Sequence, residues 1–535
     1  MRFALEHARI HQLERIVYVI PYTTILDQVA SVFQEVLGDE FERSILVHHS
    51  NLVMESEEGG ETVPWSSERK NWYMESSEQW NVPIVLTTAV QFLNTMYASG
   101  KQNVRRMHAL KRSVVIFDEV QAIPWTSREL FVNAVRFWVT LGRSTVLFCT
   151  ATQEKPAPDS QLGKIDRGSL IGDVAGYFSK MDALRKCTVS VRIENAQYWT
   201  LERIAELAVH HAHEDGTVLV VVNTKSLAAN LAEACRSQLD GFVYHLSTSM
   251  CPAHREGIVR SRISKKALAE ARKNRVPVIC VSTQLIEAGV DVDFDVVIRS
   301  IAGLDSCMQA AGRCNRDARL GQGKVILLNP ADCLEKVASL KEIQWGRDKT
   351  TELLKRMSKD EDVFTFGRMQ SYYAGIDTQL RDQKWSSYLD SLNGVSTNLV
   401  EALSLNRDLV EDGRKKEEYK VCSLFQAFAS SARAYRVIDD KTVQVVTSFG
   451  EGKRLVEELK TMNIHTNDDW KVWKELLREA RRYSVSVPVQ GKKMISLLKS
   501  HAVYPINEEM EIYILSPDHY DDFLGCTTEF GSLIV

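Results

Sequence analysis

Two adjacent carboxylates, Asp118 and Glu119, follow four apolar residues in the segment VVIFDEVQAIP, which spans 114–124. A buried strand that ends in two acids presents them at the carboxyl edge of a sheet, where open parallel sheets bind ligands. One carboxylate there can hold Mg²⁺ while the other polarises an attacking water molecule. The pair therefore indicates metal-assisted hydrolysis, although a solvated acidic turn explains the dipeptide alone equally well.

Three further motifs contain residues suited to phosphate chemistry. The segment CTATQ (149–153) ends a predicted strand in two hydroxyls, and STQLIEAGVDVD (282–293) carries acids and a glycine in a turn. The segment QAAGRCNR (309–316) contains Arg313 and Arg316, whose spacing predicts that both lie on one helical face. Paired guanidinium groups can stabilise charge that develops on a transferred γ-phosphoryl group. With the acid pair, these motifs indicate hydrolysis of a nucleoside triphosphate.

Ten short apolar runs, separated by helical patterns, would position these motifs. They are continuously apolar rather than alternating, as expected for parallel strands that helices cover on both faces. Helical spacing over 24–38 ends at Gly38, and Pro252 occupies the first position of another predicted helix. The runs form two series and predict an α/β fold: 16–20, 44–49, 83–88, 113–119 and 144–152, then 217–224, 242–247, 277–283, 295–300 and 324–329.

The chain of 535 residues is too long for one core, and its pattern predicts four parts. A segment rich in glycine and proline near 154–200 indicates a junction between two parallel-sheet domains. Charged helical stretches then follow, and the end mixes a helix with β-like pieces. We therefore predict domains at 1–195 and 196–334, a helical linker at 335–420 and a small α+β domain at 421–535.

Composition excludes several classes of protein. Charged residues make up 25% of the chain, the net charge is −4, and no apolar run approaches the ~18 residues that span a membrane. The first residues do not form a signal peptide. Ten cysteines without a C-x-x-C pair argue against zinc ribbons and indicate reduced thiols in a cytoplasm. The cluster HHAHED (210–215) indicates a helix end before Gly216 rather than a metal site.

The motifs together resemble those of superfamily 2 helicases. Their amino-acid sequences are similar to those of the helicase–nuclease of type I CRISPR interference, in its I-C branch. The resemblance covers essentially the whole chain and rests on PYTTILDQ (21–28), LTTAVQF (86–92), DEVQ (118–121), HLSTSMCPAHR (245–255), STQLIEAGVDVDFDVVIR (282–299) and GLDSCMQAAGRCNR (303–316). It implies two tandem RecA-like domains and a cytoplasmic, ATP- and Mg²⁺-dependent enzyme. That enzyme would translocate on single-stranded DNA with a CRISPR surveillance (Cascade-type) complex in antiviral defence.

The resemblance also implies roles for individual residues. Asp118 would organise Mg²⁺, Glu119 would activate water, and Gln121 would sense the γ-phosphate. The two hydroxyls of the CTATQ segment would couple hydrolysis to movement. The remaining implied residues are Glu287, Gly289, Asp291 and Gln309 at the nucleotide, Arg313 and Arg316 at the phosphates, Thr150 and Thr152 in coupling, and Tyr22, Thr23, Thr87, Thr88, Gln91, Thr224 and Thr283 along the DNA.

Two pieces of the family pattern are absent from the sequence. It has no G-x-x-x-x-G-K-[ST] phosphate loop (Walker A) and no His-Asp dipeptide of the HD nuclease domain. We therefore expect the first domain to lack an inner strand at its N-terminus, which would leave unpaired backbone groups and exposed apolar surface. An upstream segment or a separate chain would carry the phosphate loop and nuclease, and both explanations stay open.

Two alternatives to the motor remain open. The chain could bind single-stranded DNA or the surveillance complex without hydrolysing ATP, as the missing phosphate loop suggests. It could also be another superfamily 2 helicase that acts on DNA or RNA, since the motor motifs do not determine the track.

Overall fold

The computed structural model forms two compact units, Met1–Leu170 with Tyr373–Asp439 and Ile171–Tyr372 with Asp440–Val535. It describes residues 1–21, 23–38, 40–49, 55–58, 61–64, 67–150, 168–183, 187–193, 198–338, 340–357, 361–382, 392, 394–415, 426–435, 442–462, 466–488, 497–507 and 512–527.

The first unit contains a five-stranded parallel sheet. The strands of this unit are β1 (Arg15–Ile20), β2 (Ile45–His48), β3 (Glu55–Glu58), β4 (Glu61–Pro64), β5 (Ile84–Thr88), β6 (Ser113–Phe117) and β7 (Thr145–Phe148). The sheet order is β2-β5-β1-β6-β7, and β3 and β4 form a separate antiparallel hairpin. Every residue of β5 and β6 is buried, whereas every residue of β7 at the edge is partly exposed. The described strands pair without an internal gap, so a further strand stays a prediction.

Helices cover both faces of this sheet, which explains why its strands are apolar throughout. Val115 and Phe117 belong to one buried cluster, and the alternate residues Val114 and Ile116 belong to another. The helices are α1 (Arg2–His11), α2 (Thr23–Leu37), α3 (Glu40–Ser44), α4 (Ser67–Gln79), α5 (Ala89–Tyr97), α6 (Lys101–Arg106) and α7 (Arg128–Thr140).

The second unit contains a six-stranded parallel sheet in the order β10-β11-β9-β12-β13-β8. Its strands are β8 (Cys187–Arg192), β9 (Thr217–Val221), β10 (Phe242–Leu246), β11 (Val278–Ser282), β12 (Val296–Ser300) and β13 (Gly323–Leu328). The expected boundary at residue 195 assigns β8 to the first domain, but β8 pairs with β13 in the second sheet. As an edge strand, β8 alternates in exposure, so its sequence lacks the continuous apolar run of the inner strands.

The helices of the second sheet follow the sequence signals. Helix α9 includes the HHAHED cluster and stops at Gly216, whose φ is 106°, so the predicted helix end is confirmed. Pro252 begins α11 as predicted. The helices are α8 (Val174–Ala183), α9 (Leu201–Asp215), α10 (Lys225–Gln238), α11 (Pro252–Ser261), α12 (Lys265–Lys273), α13 (Leu304–Ala311) and α14 (Lys341–Lys355), followed by α15 (Phe366–Asp382), which belongs to the first unit from Tyr373 onward.

The expected helical linker is divided between the two units. Helices α16 (Leu399–Leu403), α17 (Arg407–Lys415) and α18 (Phe428–Ala434) follow α15. Leu399 and Tyr435 are buried in the same cluster as the first sheet. Leu399 of the expected linker and Tyr435 of the expected C-terminal domain therefore both belong to the first core.

The C-terminal part is a small α+β domain. Helices α19 (Gly452–Thr461) and α20 (Asn467–Ala480) pack on a four-stranded sheet in the order β15-β14-β17-β16. Its strands are β14 (Thr442–Val446), β15 (Ser484–Pro488), β16 (Val503–Asn507) and β17 (Ile512–Leu515), followed by the short pair β18 (Tyr520–Asp521) and β19 (Gly525–Cys526). The Tyr520 hydroxyl accepts a 3.1 Å hydrogen bond from the Cys251 amide, which docks this domain on the start of α11.

The predicted fold class is thus confirmed: two parallel-sheet α/β domains and a small C-terminal sheet domain. Each of the ten predicted apolar runs overlaps a strand of the two parallel sheets. None of the helices that the structure describes is long and apolar enough to cross a membrane.

Candidate active site and nucleic-acid interface

The acid pair lies at the carboxyl end of β6, as the sequence predicts. The Asp118 amide donates a 2.9 Å hydrogen bond to the carbonyl of Val19, which fixes the acid beside β1. The Tyr18 hydroxyl donates to Oδ2 of Asp118 over 3.0 Å, and the Glu119 amide donates to Oδ1 over 3.1 Å. Both carboxylate oxygens of Asp118 are therefore oriented by donors from the sheet and the following turn.

A hydrogen-bonded path leads from Glu119 to the end of the neighbouring strand. Glu119 has a φ of 49°, a left-handed conformation that turns the chain sharply after the strand. The Gln121 amide group donates to the Glu119 carboxylate, and Oγ1 of Thr150 donates to Oε1 of Gln121 over 2.7 Å. The structure thus brings together three residues that the family resemblance assigns to water activation, phosphate sensing and coupling.

The charge of Asp118 affects its neighbours. Burial, and then the Asp118 charge, raise the pKa of Tyr18 far above its ordinary value, so the phenol remains a donor at any physiological pH. The same two causes raise the pKa of the Cys149 thiol. Sequence reasoning missed Tyr18; its signal is a hydroxyl-bearing ring in the otherwise apolar part of the strand RIVYVI.

The donor set suits Mg²⁺, which prefers hard oxygen ligands. Asp118 and Glu119 supply partly exposed carboxylates at one strand end. Among the residues that the structure describes, no group of three His, Cys, Asp or Glu side chains is arranged to hold a metal. The two acids therefore fit a partial coordination shell, which Mg²⁺ usually completes with water and substrate phosphates.

In the second unit, Glu287 lies in the loop after β11 and is only 6% exposed. Its carboxylate forms a 2.9 Å ion pair with Arg299 and accepts a 2.7 Å hydrogen bond from Ser306. Burial, opposed by the Arg299 charge, raises the pKa of Glu287. The structure gives Glu287 a place within the fold, and its approach to a nucleotide stays a prediction.

The prediction that Arg313 and Arg316 share a helical face is wrong. Helix α13 ends at Ala311, because residues after it pair with Phe294: the Phe294 amide donates to the Arg313 carbonyl, and the Asn315 amide donates to the Phe294 carbonyl. Arg313 donates to the carbonyls of Ile286 and Glu287 at 3.1 and 2.5 Å, which ties this turn to the loop after β11.

Arg316 is the more accessible of the two arginines. Its side chain is 42% exposed and lies 3.5 Å from the carboxylate of Asp291, which Lys265 also contacts at 3.1 Å. Gly289 has a φ of 74°, which explains a glycine at this turn. Gln309 is half-buried on α13. These residues surround one loop of the second unit, and their roles at a nucleotide stay predictions.

The residues predicted to follow DNA in the first unit lie at the end of β5. The Thr87 hydroxyl is buried and donates to the His48 carbonyl over 2.9 Å, and the Thr88 hydroxyl caps α5 by accepting from the Gln91 amide. Oε1 of Gln91 accepts a 3.2 Å hydrogen bond from Arg106. These contacts explain all three side chains structurally, so their DNA contacts stay predictions.

The corresponding threonines of the second unit are also buried. Thr224 caps α10 by accepting from the Leu227 amide. The Thr283 hydroxyl is buried and has no hydrogen-bond partner within the described ranges. Tyr22, Thr152 and the side chain of Thr23 lie outside the described residues, and the structure does not test their roles.

Comparison with known proteins identifies similar sequences. Residues 214–319 match the family model described as CRISPR-associated nuclease/helicase Cas3, C-terminal. The CRISPR-associated nuclease/helicase Cas3 of Haloferax volcanii is 25% identical over 586 residues, which cover 89% of this chain and 58% of that protein. The Streptococcus thermophilus protein of the same name is 23% identical over 51% of this chain and 30% of its own length.

Solved structures show the same fold. The T. fusca Cas3–ATP structure has a TM-score of 0.61 and 15% identity, and the match covers 96% of this chain and 63% of that one. A chain of a CRISPR RNA-guided surveillance complex, pre-nicking, has a TM-score of 0.53 and 15% identity over 96% of this chain and 66% of its own length. The chain is thus similar to Cas3 proteins in sequence and fold, and it spans less than two thirds of the length of these relatives.

Proposed function

We propose that this chain, which is similar to Cas3-like helicase–nucleases, is the motor portion of an ATP-dependent single-stranded DNA translocase in CRISPR antiviral defence. It would act on target DNA together with a surveillance complex of the Cascade type. The finer placement in the I-C branch rests on the amino-acid sequences of the motifs alone. Nuclease chemistry is not assigned to this chain, because its sequence has no His-Asp dipeptide.

One observation carries the proposal: the path of hydrogen bonds from Glu119 through Gln121 to Thr150. An acid that activates water must be oriented, and Gln121 holds the Glu119 carboxylate in one position. Because Thr150 follows β7, a change at Glu119 can reach the end of a different strand. An ordinary acidic turn requires no such link, so the path favours a motor site.

In the proposed mechanism, Asp118 would hold Mg²⁺ through its carboxylate oxygens, which Tyr18 and the Glu119 amide orient. Glu119 accepts a proton from the attacking water. Bound Mg²⁺ supplies charge neutralisation at the phosphates. Arg316 is the partly exposed guanidinium suited to stabilising developing charge, whereas Arg313 holds the loop after β11 through two carbonyls.

Each unit would carry its own part of the DNA track: in the first unit at the carboxyl end of β5, near Gln91 and the α5 cap Thr88, and in the second unit at the carboxyl end of β9, near the α10 cap Thr224. Backbone amides at such strand and helix ends can bind phosphates without reading bases. This type of contact suits a protein that must move along any sequence. Binding should weaken as salt rises.

Phosphate release from ATP by the purified full chain, with and without single-stranded DNA, tests the proposal. We expect DNA to stimulate release and Glu119→Gln to abolish the stimulated rate. Glu75→Gln is the matched control, because Glu75 is an exposed acid on α4, a helix that contains none of the residues with a predicted role. Equal rates in wild type and Glu119→Gln would refute the assignment of the acid pair.

A binding module is the second candidate, because the sequence lacks a phosphate loop. On that hypothesis the chain binds single-stranded DNA in a salt-sensitive manner but releases no phosphate. A superfamily 2 motor for another track would instead show stimulation by duplex DNA or RNA and not by single-stranded DNA. The same assay, repeated with each nucleic acid, separates the three functions.

A further inference from the structure

Arg299 lies at the centre of a hydrogen-bonded network at the carboxyl end of the second sheet. Its strand, β12, lies between β9 and β13, and its side chain is 0% exposed. The guanidinium donates to Oδ1 of Asn223 over 2.7 Å and to Oγ of Ser306 over 2.8 Å. It also forms the 2.9 Å ion pair with Glu287. One buried side chain therefore directly contacts the loops after β9 and β11 and the first turn of α13.

Asn223 extends the network to the loop after β13. The backbone N–H of Asn223 donates to Oε1 of Glu335 over 2.6 Å, and its side-chain Nδ2 donates to Oε2 over 2.9 Å. Glu335 is only 1% exposed. Asn223 immediately precedes Thr224, the cap of α10 at the proposed DNA track. On the other side, Glu287 belongs to the loop that Arg313 holds. The network thus links the proposed DNA side to the proposed nucleotide side.

The charges make this network a single unit. The carboxylates of Glu287 and Glu335 are both buried and both interact with the Arg299 charge, and Arg347 also acts on Glu335. Loss of the Arg299 contacts would therefore leave buried charges less well paired in a low-dielectric interior. The loops cannot then move independently at low cost. A network of loops that can switch only as a whole between discrete conformations can couple ligand binding at two distant sites.

We propose that Arg299 is a positioning residue that couples the loop of Glu287 and Arg313 to the DNA-side loop of Asn223 and Thr224. The coupling role rests on the proposed function, whereas the joining of the loops does not. Only arginine offers five donors in a planar fork, so it can reach Asn223, Ser306 and Glu287 at once. Lysine keeps the charge but cannot make these contacts together.

Arg299→Lys tests the proposal, with Arg272→Lys as its matched control. Arg272 also forms a partly buried ion pair, with Oδ2 of Asp295 at 3.1 Å, but that pair lies at the amino end of β12. Both variants weaken one arginine–carboxylate pair next to the same strand. A merely structural role for Arg299 predicts the same behaviour in the two variants.

Hydrogen exchange of the ligand-free full chain is the first measurement. In Arg299→Lys, exchange should rise together in peptides that cover 222–227, 284–290 and 303–308, by roughly tenfold as the buried network opens. In Arg272→Lys, these peptides should exchange as in wild type. Unchanged exchange in Arg299→Lys, or a rise in one loop alone, overturns the proposal. This result does not depend on DNA or ATP.

Exchange with bound single-stranded DNA is the second measurement. In wild type and Arg272→Lys, DNA should slow exchange of peptide 284–290; in Arg299→Lys, it should protect 222–227 but lose about fivefold or more of its effect on 284–290. Bound DNA that leaves 284–290 unchanged in wild type overturns the coupling. If no DNA binds at all, the proposed function fails, and the ligand-free measurement alone decides whether Arg299 joins the loops.

Discussion

The hydroxyl of Tyr18 on β1 donates a 3.0 Å hydrogen bond to Oδ2 of Asp118, which follows the neighbouring strand β6. A core tyrosine thereby orients the acid that we assign to Mg²⁺. Residues that hydrogen-bond metal ligands commonly determine ligand orientation and hence metal affinity.

Tyr18→Phe removes this donor and leaves the ring in place. We expect Mg²⁺ affinity in DNA-stimulated phosphate release to fall by roughly tenfold, with a cost of about 1 kcal/mol in stability. A Mg²⁺ titration of phosphate release measures the effect. Tyr97→Phe is the control, because it removes a 2.7 Å hydrogen bond to the Leu130 carbonyl in the same unit. An identical Mg²⁺ dependence in Tyr18→Phe and wild type would contradict the assignment.

Thr150→Val breaks the contact between β7 and Gln121. We expect phosphate release to remain within about threefold of wild type, since a neutral hydrogen bond contributes only about 1 kcal/mol, while ATP-driven movement on DNA is lost. Thr145→Val at the opposite end of β7 removes the 2.9 Å contact with His7 and should affect neither. Unimpaired movement in Thr150→Val would show that Thr150 does not couple the two processes.

Arg316→Lys keeps the charge but removes the planar guanidinium. We predict a loss of roughly 10³-fold in the stimulated rate, the order associated with arginine fingers, and no detectable change in melting temperature. The stability should not change, because exposed ion pairs contribute about 0–1 kcal/mol. Arg260→Lys, at an exposed pair with Glu256, should retain the full rate. A rate within a few-fold of wild type in Arg316→Lys would refute this role.

His48 makes the first unit sensitive to acid. Its Nδ1 accepts a 3.3 Å hydrogen bond from Trp80, and burial, followed by the Arg106 charge, lowers the pKa of His48 to about 3. Below its unfolded pKa of about 6.5, the unfolded chain binds a proton that the folded chain excludes. The stability is therefore complete above pH 6.5 and decreases as the pH falls towards 3.

We expect this residue to remove about 1 kcal/mol of stability between pH 7.5 and 5.5. His48→Asn keeps an acceptor for Trp80 but cannot titrate, so its melting temperature should fall less over this range than that of wild type. Equal pH dependence in His48→Asn and wild type would contradict a neutral, buried His48.

Strand positions and the acid cluster were predictable because both follow from short-range patterns. Apolar runs covered on both faces predict parallel strands, and the carboxyl ends of adjacent strands must lie close together. Glu119 and Thr150 follow β6 and β7, which pair directly, so their proximity is a consequence of the sheet order. The resemblance to a known family then supplied roles for residues already expected at one edge.

The remaining features depend on contacts that no local pattern encodes. The end of α13 is set by the pairing of Arg313 and Asn315 with Phe294, a residue in another loop. Likewise, an arginine within an apolar run suggests an edge strand or a wrongly assigned strand. Only the tertiary structure shows that Arg299 of the central strand β12 contacts Asn223, Ser306 and Glu287. Side-chain hydrogen bonding across loops therefore limits prediction from sequence.

Movement along single-stranded DNA is the most direct test of the central claim. A fluorophore at one end of DNA strands of increasing length reports the arrival of the chain after ATP is added. We predict an ATP-dependent delay that lengthens with the strand for wild type and Glu75→Gln, and no arrival signal for Glu119→Gln. A signal that is independent of ATP and of strand length would show that the chain binds DNA without moving, and would contradict the motor.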